Sequence, residues 1–420
     1  MVMDRQDEAA LLAFDPKADD FMDNPWEFYR RLRVAAPVFR DPRHDIFFVT
    51  RYDLVDQVLK DAQRFSSQVD RASMRRGGLP PKVLEIRAQG WPLALTMSQN
   101  DTPSHDVFRS LVSPFFTPRN LESIEPFVRA RAQALVDALP LGVAVDVVPA
   151  LAVPLPIAVI GRYLGMQEYG EITLKRWSDA FADEIGMLTS EDRAVEIAQL
   201  TLDCHRAMLA LCEARRRSPR DDIISHIARA RIDADDGQRA LTDGELLSML
   251  TQMLVAGNET TTNTLAAGVL RLAETPGLLQ RLRGTPELLP RFVEELLRLE
   301  SPVQGQFRRA LRDTELGGVN IPAGSLLHVR LASANRDEAA FGEHAEQVNL
   351  DGRPPAPHTA FGAGMHFCLG AMLSRLELKL AFELISRSIR SIELAVPRSD
   401  IHFHTHFHLR GLESLPVVLG

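Results

Sequence analysis

The chain has 420 residues, 45% of them hydrophobic and 25% charged, and carries a net charge of −8 at neutral pH. That composition suits a folded globular protein and argues against general nucleic-acid binding, which needs a surplus of basic charge. Three cysteines, Cys204, Cys212 and Cys368, are too few for a disulfide framework, and their odd number suits a reducing compartment.

The opening stretch MVMDRQDEAALLAFDPKADD is acidic and lacks the apolar core of a secretory signal. Asn24-Pro25-Trp26-Glu27 reads as a helix start capped by Asn24, with proline in the first turn. PVFRD and DIFFVTRYD then read as two short strands, and Asp53 as the cap of the helix LVDQVLKDA. Residues 67–98 contain Gly77, Gly78, Pro80, Pro81, Gly90 and Pro92 and read as one long irregular loop, the kind of segment that often carries function.

From about 103 to 290 apolar residues recur at spacings of three and four, which predicts an almost wholly helical region. Its most apolar part, VVPALAVPLPIAVIGRYLG, is broken by Pro149, Pro154 and Pro156 and meets Arg162 too early to span a bilayer. Cys204 and Cys212 fall eight apart in a predicted helix and match no metal-ligand spacing, and Glu213-Ala-Arg215-Arg216-Arg217 reads as a solvated helix end. The segment LTDGELLSMLTQMLVAGNETTTNTLAAGVLRLAE is long, free of proline and apolar on most sides. It should run through the centre of the molecule, started by Thr242 with Glu245 three residues on. After Pro302 the runs FRRALRD, TELGGVNIPAG and SLLHVRLA read as strands. An irregular stretch, the helix AMLSRLELKLAFELISRSI and further strands follow. The expected fold is mainly α with small β-sheets, a single domain over 1–420, soluble, cytoplasmic and monomeric.

The run FGAGMHFCLGAMLSRLE, Phe361 to Glu377, places Cys368 among glycines just before a helix-forming segment. A buried thiolate is costly unless donors or a metal neutralise it. Gly362, Gly364 and Gly370 let the backbone turn tightly and aim amide N–H groups at the sulfur, and the positive end of the following helix points the same way. One sulfur with no second cysteine or histidine suits an axial haem position better than zinc, which takes three or four protein ligands. The plain alternative is a core cysteine beside a helix start.

Phe361, Gly364, Cys368 and Gly370 fit the F-x-x-G-x-x-x-C-x-G pattern of the cytochrome P-450 haem-thiolate monooxygenases, and the chain resembles that family along its whole length, most closely its soluble bacterial members. Glu295-Leu-Leu-Arg298 looks like the family's E-x-x-R pair. Ala256-Gly257-Asn258-Glu259-Thr260-Thr261 is similar to its oxygen-site segment, with Glu259 and Thr260 as an acid–alcohol proton relay. The resemblance implies a P-450 fold of triangular outline with haem b held between the long central helix and the cysteine loop, and Cys368 on the iron. It further implies Ala256 and Gly257 against the porphyrin, and His105, Arg109, Arg308 and His366 on the propionates. The family's Pro-x-Arg-Phe is missing here, since Glu346-Gln347-Val348 stands in its place, and Arg353 is the substitute expected to complete the triad with Glu295 and Arg298.

By family position the substrate pocket is lined by Gln252, Val255, Ala256, Val303, Gln304, His408 and Leu409, with the two glutamines offered to a polar group of the substrate. Residues 165–205 and 67–98 form a lid. The implied activity inserts one atom of O2 into a small or medium apolar molecule. Electrons come from NAD(P)H through a ferredoxin and its reductase, because no flavin or iron–sulfur domain is attached, and the donor docks on basic residues at the cysteine side. A peroxide-driven haem peroxygenase, a non-oxygenating isomerase or dehydratase, and a non-enzymatic haem-binding protein are the alternatives. Glu259 and Thr260 argue against the first two, and the lack of an output module against the third. Finally, His402-Phe-His404-Thr-His406-Phe-His408 reads as a half-exposed strand with the phenylalanines inward and four imidazoles aligned on one face, where metal binding is the less favoured role.

Overall fold

The computed structural model describes residues 21–69, 78–186, 189–234, 237–352 and 356–420. Helix α1 (Trp26–Ala35) begins as expected, but Pro25 occupies the cap position and no side chain caps it. The first strands are β1 (Val38–Asp41) and β2 (Ile46–Val49), paired antiparallel. In α2 (Tyr52–Lys60) Asp53 sits inside the first turn instead of capping it, because it pairs with Arg51 at 2.6 Å. β3 (Phe65–Ser66) follows, and the described residues 78–98 of the expected loop include regular structure. Pro81 opens helix α3 (Pro81–Arg87), a position where its missing N–H costs nothing.

The helical region contains α4 (Ser104–Val112), α5 (Pro118–Asp137), α6 (Pro154–Leu164), α7 (Glu171–Gly186) and α8 (Glu191–Arg217), interrupted by the short strand β4 (Ala144–Asp146). Cys204 and Cys212 are buried core residues. The basic helix end is only partly solvated: Arg216 and Arg217 are exposed, whereas Arg215 is buried and donates to Asp222 at 2.8 Å. The hairpin β5 (Arg231–Ala234) and β6 (Gly237–Ala240) precedes the central helix α9 (Asp243–Glu274).

The start of α9 follows from local sequence alone. The Thr242 hydroxyl accepts from the Glu245 amide at 3.3 Å and the Glu245 carboxylate accepts from the Thr242 amide at 2.8 Å, so two orphan donors are satisfied reciprocally. Most of α9 is buried on every side, as its all-round hydrophobicity demands. It packs so closely on α11 (Ala371–Ser388) that a side chain at Gly268 would collide with the Phe382 ring. Between them in sequence lie α10 (Leu289–Glu300) and strands β7 (Gln306–Ala310), β8 (Thr314–Leu316), β9 (Val319–Ile321) and β10 (Leu326–Val329). The main sheet has the order β1-β2-β10-β7-β3, with β10 parallel to β2 and antiparallel to β7. The last strands, β11 (Ile392–Leu394) and β12 (Pro416–Leu419), join β4 in a second sheet.

Behind the main sheet Arg330 is fully buried. Its guanidinium lies 4.8 Å from the Phe48 and Phe407 ring centres and 5.8 Å from that of Tyr29. The ring faces supply the negative charge density that an acid otherwise would. Among the described residues no helix is long and apolar enough to cross a membrane.

Candidate active site

The centre of α9 departs from the helix around it. Ala256 is exposed although it lies halfway along the most buried helix of the protein, and Cys368, enclosed by protein on the opposite side, likewise keeps open surface. Gly257 sits against α6, where a Cβ would come within 2.6 Å of Ile160. The Thr260 hydroxyl donates back to the Ala256 carbonyl at 3.0 Å, and Thr264 does the same to Thr260 at 2.8 Å. These bonds compete with the helix ladder where the apolar wall must open.

Glu259 is buried and points away from solvent into a polar cluster. Its carboxylate accepts from Asn258 at 2.8 Å, from the Ser178 hydroxyl at 3.2 Å and from Lys175 at 3.3 Å. Lys175 also pairs with Asp179 one turn along α7. Burial first, and the Glu259 charge second, push the Asp179 carboxyl up to about 6, so this cluster can exchange a proton near neutral pH. Lys175, Ser178 and Asp179 lie some eighty residues from Glu259 in sequence. Only the packing of α7 on α9 brings them together, and no local signal marks them.

The cysteine loop is built as its glycines suggest. Gly362 and Gly364 adopt φ of +70° and +67°, a region that strongly favours glycine. The turn returns the Cys368 amide to the Phe361 carbonyl at 2.9 Å. Burial raises the Cys368 thiol above its usual range. The amides of Gly370 and Ala371 at the start of α11 donate to the sulfur and, with the Arg109 and Arg375 charges, oppose that rise. Arg375 lies over the Phe361 ring at 4.5 Å and is fixed by Glu294 of α10 at 2.6 Å.

Beside this loop four donors converge. The rings of His105 and His366 meet edge to face at 4.5 Å, and the buried Nε2 of each has no protein partner among the described residues. Arg308 is buried nearby, and burial alone brings it down to about 10. Burial, then the charges of Arg308 and His105, depresses His366 to about 3. Arg109 donates to the Phe367 carbonyl at 2.7 Å. Arg308 donates to the Phe307 carbonyl at 2.8 Å and to Gln306 at 3.2 Å, so of these groups only the two Nε2 atoms are without a partner among the described residues. A buried unpaired donor is costly, and carboxylates such as haem propionates fit this set. The sulfur and its amide donors fit an axial thiolate.

Glu295 and Arg298 pair within α10 at 2.8 Å, and Arg298 also donates to the carbonyls of Asn335, Ala345, His344 and Gln347. The expected third member, Arg353, lies outside the described residues. Among the described residues Arg291 joins the pair: one turn back on the same helix, it reaches Glu295 at 3.3 Å and donates to the Asn349 carbonyl at 2.9 Å, while the Asn349 amide donates to Glu295 at 3.0 Å.

Three expectations for the pocket are corrected. Gln252 is not offered to a ligand, because its oxygen accepts from the Ser98 amide and hydroxyl and its nitrogen donates to Thr96 at 2.7 Å. Gln304 is fully buried, with Tyr29 donating to its oxygen and its nitrogen held by the Glu300 and Ser301 carbonyls. The 402–408 histidines form no strand. Phe403 and Phe407 are inward, but His406 and His408 are buried beside them, while His402 is exposed and bonds Asp23 at 2.8 Å. No cluster of metal-binding side chains occurs among the described residues. Val303 and Leu409 face each other as a β-bridge, and Val255 is half-buried.

A cysteine sulfur met by backbone amides at a helix start, beside two buried histidine Nε2 atoms with no partner among the described residues, makes a centre suited to a thiolate and a neighbouring anion. The chain belongs to the cytochrome P450 family, whose profile matches residues 171–284 and 286–405, and it is a P450 monooxygenase. It is 34% identical to the polyketide biosynthesis cytochrome P450 PksS of Bacillus subtilis over 97% of this chain and 99% of that one. It is 33% identical to linalool 8-monooxygenase of Pseudomonas putida over 94% and 95%. Among solved structures it resembles cytochrome P450 CREJ in complex with (4-ethylphenyl) dihydrogen phosphate, with a TM-score of 0.88, 30% identity, and coverage of 97% and 100%.

Proposed function

We propose that residues 1–420 act as one haem b monooxygenase domain that hydroxylates a small or medium apolar organic molecule. Electrons reach it from NAD(P)H through a ferredoxin and its reductase, and the protein works as a cytoplasmic monomer. The observation that carries this reading is the Cys368 sulfur, met by the Gly370 and Ala371 amides and lying close to Arg109, beside the His105 and His366 rings. When bound, haem supplies the redox chemistry that reduces O2 and places one oxygen atom on the substrate.

The chain's residues do the rest. Cys368 would ligate the haem iron through its sulfur, and Phe361 and Gly370 shape its loop. His105, His366, Arg308 and Arg109 would hold the haem carboxylates. Glu259 takes up a proton from the Lys175–Asp179 cluster and passes it towards the Thr260 hydroxyl. Val255, Ala256, Val303 and Leu409 give the substrate an apolar wall. Arg109, on the cysteine side, favours an acidic electron donor, and salt weakens that encounter.

The decisive experiment supplies NADH, ferredoxin, reductase and a substrate chosen from a spin-state-shift screen. Product without added peroxide is expected, and product only with peroxide refutes the reading in favour of a peroxygenase. Cys368→Ala should abolish the strongly red-shifted spectrum of the reduced carbon monoxide complex, and its survival refutes the ligand assignment.

A further inference from the structure

His406 joins two parts of the pocket that come from distant stretches of chain. It belongs to the segment that carries His408 and Leu409, and its buried imidazole reaches the last turn of α7. Nδ1 accepts from the backbone amides of His408 at 3.0 Å and Leu409 at 2.9 Å, while Nε2 lies 2.9 Å from the Ala182 carbonyl. An amide only donates and a carbonyl only accepts, so the ring is neutral with its proton on Nε2. The seat is fitted to the ring: a Cβ at Gly186 would stand 2.7 Å from Nε2.

Helix α7 carries more than itself. Asp183 pairs with Arg193 of α8 at 2.6 Å, and Glu184 pairs with Arg87 of α3. Helix α3 in turn shares an apolar core with α8, in which Val83 and Ile86 pack with Ala198 and Leu202. The three helices thus form one roof, and the Ala182 carbonyl is where His406 grips it.

We propose that His406 is a pH-sensitive latch that fastens this roof to the His408–Leu409 wall and governs entry to the haem pocket, an inference that rests on that pocket holding haem. A second proton on the ring places an N–H at Nδ1 against two N–H donors, so both amide bonds are lost together and the grip on α7 loosens. The latch is closed while the ring is neutral and opens when acid adds the second proton. Among the described residues, the titratable and charged groups on the elements packed against it are His402, His404, His408 and Arg410 on its own segment, His328 on β10, and Asp179, Asp183 and Glu184 on α7. Those acids are paired with Lys175, Arg193 and Arg87, and Arg410 with Glu300.

The test follows phenyl isocyanide, neutral at every pH used, as it binds the reduced holoenzyme in stopped flow. The wild-type association rate should rise roughly tenfold between pH 7.5 and pH 5.5, about what losing one or two hydrogen bonds allows. His406→Phe should be fast and independent of pH. Gly186→Ala, which keeps the imidazole but crowds its seat, should also be fast. Wild-type rates in both variants, or acid acceleration that persists in His406→Phe, would overturn the latch. If His406→Phe fails to take up haem, Gly186→Ala decides alone. A protein that forms no isocyanide spectrum at all refutes the haem reading instead, so the two failures are distinguishable.

Discussion

Thr260 and Glu259 are neighbours in sequence but turn to opposite surroundings, the hydroxyl folded back on the Ala256 carbonyl and the carboxylate buried against Ser178 and Lys175. If protons pass between them, Thr260→Ala should leave NADH consumption intact but divert it to hydrogen peroxide. Unchanged coupling of NADH to product would count against the relay. Arg291 offers a second prediction at this scale. Because it bonds a buried carboxylate, Arg291→Ala should cost about 1.5–3 kcal/mol in denaturant unfolding. Glu295→Ala, which strands Arg298, should cost about 3–5 kcal/mol. Equal small effects would show that Arg291 is not part of the cluster. Cys368 and the Glu295–Arg298 pair were readable because each is a local spacing. Arg291 was not, because one arginine among several on a helix announces nothing until its partner's burial is known.

Elements were legible where a local rule decided them. The capping box at Thr242 located the start of α9 to the residue, and Thr242→Ala should lower stability by about 1 kcal/mol; a change within error in chemical denaturation would show that tertiary packing alone sets the helix start. Helix α3 was hidden by the prolines and glycines around it, although Pro81 in its first turn is itself a start signal. The histidine run failed for a different reason. Alternation predicts a two-faced strand, but this segment is wedged between α7 and the main sheet and has neighbours on both sides, so His406 and His408 are buried together with the phenylalanines. Gln252 and Gln304, whose polarity suggested substrate contact, serve internal bonds instead, Gln252 to Thr96 and Ser98 and Gln304 to Tyr29, Glu300 and Ser301.

Across the whole molecule, two buried acids tilt stability with pH in opposite senses. Burial would raise Glu300, but the guanidinium groups of Arg271, Arg410 and Arg336 prevail and hold it at about 2, against an ordinary 4.5. A lowered acid stabilises the fold above its unfolded value, so this contribution is complete above pH 4.5 and disappears as pH falls towards 2. Burial raises Glu377 well above 4.5. That acid must take up a proton on folding once the unfolded chain is ionised, so it costs stability increasingly as pH rises above 4.5. Unfolding free energies measured from pH 4 to 9 should therefore show Glu377→Gln gaining on the wild type as pH rises. Parallel curves would show that Glu377 is charged in the folded state.

Arg330 ties these scales together, since the rings around its cation come from positions 29, 48 and 407. During synthesis the first two rings leave the ribosome hundreds of residues before the third. Until Phe407 arrives, the nascent chain holds a guanidinium with one aromatic face missing, and Arg410 has not yet reached Glu300. The cage around Arg330 can be completed only after residues 402–410 emerge. A product clipped near residue 400 should therefore be less stable in chemical denaturation than the full chain.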